Sequence, residues 1–340
     1  MSIDHPNWKK QVTRWLPGLV ISAIAIYAIV HFTRGQHIGE ALKTVKIGFI
    51  LLLIVLTLLS LIARSIAWRT ILGNKISLVN SFFGICEGYF LNNIFPLRVG
   101  ELGRALLVGR SSGLGTLHVL STILIERAFD IVFAASIILL TLPMVVGSDW
   151  IKPIAFTAFV VILVGLIFLF LISVKRDKFQ AWLQTRNFRL GFIKNRILPQ
   201  VSKIMDGLSA LVHPGQFLLS VFWIGVTWLL WVLLYYCTIV QLVPSAPLWW
   251  GAFTSGLIAL GVAIPSAPAS VGVYEATILG AFALLGISSG SALAYAIVLH
   301  LAQIFVTTLF GLWGMVRDGQ KLSTLLDSLV NRRNAENTPV

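Results

Sequence analysis

Apolar residues in this chain come in long unbroken blocks, separated by short polar and basic stretches. A helix needs about 20 such residues to cross roughly 30 Å of hydrocarbon. Six blocks reach that length: Leu16–Phe32, Ile47–Trp68, Leu117–Leu142, Pro153–Val174, Phe217–Val240 and Ser291–Val316. Leu, Ile, Val and Phe dominate them, without the strict alternation of a transmembrane barrel. The pattern predicts an all-α integral membrane protein with about six full transmembrane helices. The first block follows Lys9, Lys10 and Arg14, as the apolar part of a signal peptide would. Residues 26–31 are too bulky for a cleavage site, so it reads as an uncleaved span.

Two further stretches, 78–112 and 247–286, are apolar but interrupted. The first is broken by Pro96-Leu-Arg-Val-Gly100 and the second by Pro265-Ser-Ala-Pro-Ala-Ser-Val-Gly272. Loop charge decides how they run, because cytoplasmic loops collect Lys and Arg. The N-terminus, the Lys175–Lys203 loop with eight basic residues against Asp177, and the C-terminus with Arg317, Lys321, Arg332 and Arg333 all read as cytoplasmic. The nearly neutral loop at Asp149 and Lys152 reads as external. A single crossing by each broken stretch violates that parity. A re-entrant hairpin of two half-helices preserves it, and so do two short complete crossings; the hairpin is the reading adopted here.

The two broken stretches resemble each other. Pro96 and Gly100 recur as Pro268 and Gly272, an acid follows each glycine (Glu101, Glu275), and Gly113 and Gly286 each introduce a long span. Residues 47–142 and 217–316 therefore read as two repeats of opposite orientation within one membrane domain, joined through the basic loop 175–216. Inverted repeats with broken helices are a transporter pattern.

Composition agrees with the pattern. Hydrophobic residues make up 57% of the 340 and charged ones 11%, against about 25% charged in soluble domains. Mean hydropathy is +0.89. The net charge of +13 suits loops held against an anionic leaflet; no aromatic-basic platform or zinc knuckle points to nucleic acid. Cys86 and Cys237 lie in apolar segments and read as small core residues. Residues 197–212 have the pattern of an amphipathic surface helix. The six histidines lack zinc-site spacing, and neither a Gly-x-Ser-x-Gly elbow nor a phosphate-binding Walker loop is present. Nothing implies a cofactor, a metal or an enzyme.

The informative residues are the ionisable ones within apolar segments. Each costs about 2.5–3.5 kcal/mol near mid-membrane, so it pairs, faces the bundle interior or lines a wet cavity. In Glu126-Arg127-Ala-Phe-Asp130 the two acids fall on one helical face. Arg98, Glu101 and Arg104 recur every three residues around a glycine. One reading is a structural ion-pair network in which Glu126 or Asp130 neutralises Arg98 or Arg104. The other is a polar cavity at the hairpin tips, where guanidinium groups grip a phosphate. On that second reading, half-helix N-termini at Gly100 and Gly272 would offer backbone N–H groups to the same anion. Glu101, Glu126, Asp130 and Glu275 are candidates for proton carriage. His300 is a polar residue midway along the last span.

Asn92-Asn-Ile-Phe-Pro-Leu-Arg98-Val-Gly-Glu101-Leu-Gly-Arg104, with Ile125-Glu-Arg-Ala-Phe-Asp130 and Pro265-Ser-Ala-Pro-Ala-Ser-Val-Gly272-Val-Tyr-Glu275, resembles the lysylphosphatidylglycerol synthase transmembrane-region family, also called flippase-like or UPF0104. The resemblance covers nearly the whole chain. It implies a membrane domain that moves a lipid. By the resemblance Arg98, Glu101, Arg104, Glu126, Arg127, Asp130 and Glu275 are the family's polar positions; Asn93, Gly100, Ser270, Gly272 and His300 complete the candidate site. The second turn has fewer glycines than is usual in the family, and His300 stands where many relatives are expected to carry arginine. Only 24 residues follow Val316, too few for the soluble synthase domain of larger relatives.

The expected function is a lipid translocase of the bacterial inner (cytoplasmic) membrane, multi-pass, with both termini cytoplasmic. Its partner would be a membrane phospholipid or polyprenyl-phosphate lipid, with a homo-oligomer or a lipid-modifying enzyme as further partners. The alternatives are a membrane subunit or scaffold for a separately encoded lipid-modifying or glycosyl-transfer enzyme, and a small-solute transporter.

Overall fold

The structure is a computed structural model. It describes residues 20–31, 43, 45–147, 153–154, 156–160, 164, 214–264, 266–287 and 289–319. Most of the predicted span Pro153–Val174, the basic loop, the amphipathic stretch 197–212 and the two ends of the chain lie outside the described residues. Nine helices organise the remainder: α1 (Val20–His31), α2 (Ile47–Ile71), α3 (Leu78–Ile94), α4 (Gly100–Ser111), α5 (Thr116–Val146), α6 (Pro214–Leu242), α7 (Leu248–Ala263), α8 (Val273–Leu284) and α9 (Ser289–Arg317). Four of them, α2, α5, α6 and α9, are long and apolar enough to cross a membrane. The fold is an all-α integral membrane bundle.

Proline chemistry explains the two interruptions. A residue before proline is pushed out of the helical region into extended backbone. Phe95 (φ −105°, ψ 140°) and Ile264 (φ −66°, ψ 126°) obey this ahead of Pro96 and Pro265, ending α3 and α7. Short 3-10 turns follow, Pro96–Arg98 and Pro268–Ser270, and each leads into a helix of 12 residues, α4 or α8. Twelve residues rise about 18 Å, well short of the hydrocarbon thickness. The two turns lie against each other. Both broken stretches are thus pairs of half-helices that meet within the bundle.

Apolar packing gathers at two levels. One core joins Phe49, Leu53 and Leu56 of α2 to α6, α7, α8 and the first half of α9. Another joins Leu61, Trp68 and Leu72 to α3, α4 and α5, and a third packs α5 against α6 around Trp228. Between these levels α2 carries Thr57, Ser60 and Arg64, and there the cavity opens.

Close approach of α3 to α9 depends on Gly311 and Gly314. A Cβ at 311 would lie 2.6 Å from the Cys86 carbonyl oxygen and 2.4 Å from the Phe90 Cβ. Small residues let membrane helices come this near. Gly311→Val should force α3 and α9 apart and destabilise the bundle by roughly 1–3 kcal/mol. Thermal unfolding of purified protein in detergent measures it.

Candidate functional site

α5 turns Glu126, Arg127 and Asp130 toward the bundle interior, where two other helices meet them with arginines. Arg64 of α2 reaches Glu126 Oε1 at 2.5 Å and Asp130 Oδ2 at 2.6 Å, while its second terminal nitrogen donates to Asp130 Oδ1 at 3.3 Å. Arg104 of α4 donates to Glu126 Oε2 at 2.8 Å. Arg127 bridges Glu126 at 3.2 Å and Asp130 at 3.3 Å. The Trp228 indole N–H donates to Asp130 Oδ1 at 3.3 Å. The Arg104 guanidinium lies 3.5 Å over the Trp68 ring, and Arg64 lies 5.3 Å from Trp231, where the aromatic faces add cation–π attraction.

Every oxygen of the two acids is therefore engaged by a donor. This occupies Glu126 and Asp130 as acceptors. Three guanidinium groups against two carboxylates leave the cluster one positive charge in excess. Glu126 is 1% exposed and Arg64 4%, so the charges depend on one another for solvation.

A cavity of about 240 Å³ opens above this cluster. Four helices each give it a face at i, i+3 and i+7 spacing: Thr57, Ser60 and Arg64 on α2; Trp228, Trp231 and Tyr235 on α6; Ser255, Ile258 and Val262 on α7; His300, Gln303 and Thr307 on α9. Both breaks contribute, the first through Phe95 and Arg98 with Glu101 at the start of α4, the second through Ser266, Ala269 and Ser270. Asn93 also lines it and donates to the hydroxyls of Thr307 and Thr308 at 3.0 and 3.1 Å, tying α3 to α9.

The sequence-predicted residues divide into three groups. Asn93, Arg98, Glu101, Arg127, Asp130, Ser270 and His300 share the cavity. Glu126 and Arg104 are buried in the ion-pair cluster beneath it. Glu275 instead accepts from the Gly272 N–H at 2.7 Å and contacts His300 at 2.6 Å. Of the two arginines expected to meet the α5 acids, Arg104 does and Arg98 does not. Arg98 has neither an ion pair nor a hydrogen bond from its guanidinium among the described residues, and its backbone sits at φ 54°.

The two glycine N–H groups expected to face an anion at the half-helix N-termini both have partners within the protein. The Gly100 N–H donates to Asn92 Oδ1 at 2.7 Å, and the Gly272 N–H is taken by Glu275. Gly100 serves packing instead: a Cβ there would stand 1.9 Å from the Gly88 carbonyl oxygen.

Arg64 is the residue the sequence reading missed. It is charged in the middle of an otherwise apolar span, and with Thr57 and Ser60 it forms a polar stripe at helical spacing, which is the signal that would have found it. Trp228, Trp231, Tyr235 and Gln303 were missed as well. The two tryptophans and the tyrosine are ordinary core types in an apolar block, whereas Gln303, three residues after His300 within an apolar span, carries the same polar signal as Arg64.

Comparison with known proteins places the chain among membrane proteins. A UPF0104 membrane protein of Methanocaldococcus jannaschii is 25% identical over 232 residues, which cover 65% of this chain and 91% of that protein. Residues 15–311 match the family described as the lysylphosphatidylglycerol synthase TM region. With that match running through both broken hairpins, the α5 acid cluster and the cavity they enclose, the chain belongs to the lysylphosphatidylglycerol synthase transmembrane-region family.

Proposed function

We propose that this chain is a flippase-like transporter of the cytoplasmic membrane that moves a lipid with a phosphate in its head group, a phospholipid or a polyprenyl phosphate. Arg98 carries the reading. It is an arginine lining a cavity inside a membrane bundle, without an ion pair among the described residues, beside a cluster that already has one positive charge to spare and with Glu101 on the same lining. A phosphate entering there meets a planar fork that can bind it through two hydrogen bonds. The apolar part of the lining (Leu61, Phe95, Leu234, Ile258, Val262) suits the glycerol and first methylenes next to such a head group. The two broken turns meeting at the cavity support reading the halves as an inverted repeat around a central site.

Reconstitution tests it. The full chain in liposomes should move fluorescent phosphatidylglycerol, phosphatidylethanolamine or polyprenyl phosphate between leaflets at least about tenfold faster than protein-free liposomes. A labelled diacylglycerol, which lacks phosphate, should gain nothing. If no phosphate lipid in the panel moves, the transport reading fails and a scaffold for a lipid-modifying enzyme takes its place.

A further inference from the structure

His300 sits midway along α9 with both ring nitrogens against oxygen. Nδ1 is 2.6 Å from Glu275 Oε1, and Nε2 is 2.9 Å from the backbone carbonyl of Ala269. A carbonyl oxygen can only accept, so Nε2 must carry a hydrogen. An ionised carboxylate also only accepts, so the contact to Nδ1 needs a hydrogen of its own, whether on nitrogen or on oxygen. A neutral imidazole has one N–H, and two are needed here. Filling both contacts at once takes one proton more than a neutral histidine beside an ionised glutamate carries.

We propose that His300 and Glu275 form a proton-binding site whose occupancy latches the turn of the second hairpin. When the proton leaves the Nδ1–Oε1 contact for cavity water, one N–H remains to serve two acceptors. The carboxylate, being charged, takes it at Nδ1. The Nε2 lone pair then faces the Ala269 oxygen at hydrogen-bond distance, which is repulsive, and that contact breaks. Ala269 and Ser270 are held at φ 55° and 57°, against the preference of residues with a Cβ. Losing the contact frees this turn to relax, and both residues line the cavity.

The surroundings leave the proton to these two groups. Glu275 Oε2 is fixed by the Gly272 N–H on α8. The Tyr274 ring stacks on the imidazole at 4.1 Å, and its hydroxyl meets that of Tyr235 on α6 at 3.3 Å. α1 brings Ser22, which accepts from the Ala267 N–H at 2.9 Å and does not titrate. Across the cavity stand Tyr89 of α3, Arg98 of the first turn and Arg64 of α2. None of these forms an ion pair with either member of the dyad among the described residues. The proton site stands on this geometry alone. Its use as the coupling ion of transport rests on the lipid reading, so the test measures the turn and not lipid movement.

Ser270→Cys places a thiol on the latch, and a water-soluble thiosulfonate reports its accessibility in the full-length protein. The unsubstituted chain corrects for Cys86 and Cys237. Glu275→Gln is the loaded mimic, because its amide oxygen accepts from Gly272 while its NH2 donates to Nδ1, keeping Nε2–H on Ala269. With rates divided by those of S270C/E275Q to cancel thiol ionisation, S270C labelling should rise roughly five- to tenfold between about pH 5 and pH 9. At low pH the two proteins should label alike. A ratio that stays flat with pH overturns the proposal, whether or not the protein moves any lipid.

Discussion

Glu126→Gln should destabilise this protein more than any other single substitution in the site. The carboxylate joins Arg64, Arg104 and Arg127 and is 1% exposed. Its removal leaves two buried guanidinium groups, Arg64 and Arg104, and the half-buried one of Arg127 with Asp130 as their single carboxylate. Stripping one partner from a buried ion pair typically costs about 3–5 kcal/mol, because the remaining charge has been desolvated without compensation. The expected result is a large fall in unfolding temperature in detergent, or failure to accumulate in the membrane. The companion variant Arg104→Met/Glu126→Gln separates charge from shape. It returns the cluster to its original excess of one positive charge, and it keeps an unbranched side chain beside Trp68. At least half of the lost stability should return. If the double variant is as unstable as Glu126→Gln alone, the network matters through geometry and not through charge balance.

That network shows how far local sequence can be read. Glu126 and Asp130 at i and i+4 declare a shared face, and Arg104 falls on the helix that packs against it. Arg98 lies six residues earlier with the same chemistry and ends in a different place. The difference is Pro96: the break ends α3, and the following turn sends Arg98 into the cavity, while α4 restarts and buries Arg104. The pattern of charges every three residues carries no trace of that divergence. Arg64 was overlooked because a block judged by its mean hydropathy hides a single polar stripe. The broken stretches themselves were legible, since residue-before-proline sterics act locally. The partners of the two glycine N–H groups are not legible locally, for a tertiary reason. Asn92 and Gly100 meet only after the hairpin folds, as do Glu275, His300 and the Ala269 carbonyl.

Arg98→Lys should abolish most lipid movement while leaving the fold intact. Arg98 makes no ion pair among the described residues, so replacing its guanidinium with an ammonium strands no carboxylate and conserves the net charge of the cavity. Lysine also keeps the left-handed backbone strain unchanged, because both residues carry a Cβ at φ 54°. Stability and membrane insertion should therefore match the wild type. What changes is the donor: a planar fork that can hold a phosphate through two parallel bonds becomes a point charge on a flexible stem. Flipping of phosphate lipids should fall at least about tenfold, which corresponds to a transport barrier higher by roughly 1.4 kcal/mol. Arg98→Gly completes the argument. It relieves the strain of a non-glycine residue at positive φ and should unfold at the same or a higher temperature, by up to about 1 kcal/mol. It should nevertheless be as inactive as the lysine variant. A stable Arg98→Lys protein with wild-type flipping would show that the guanidinium fork does not hold the head group, and the phosphate would then have to be sought at Arg64 and Arg127.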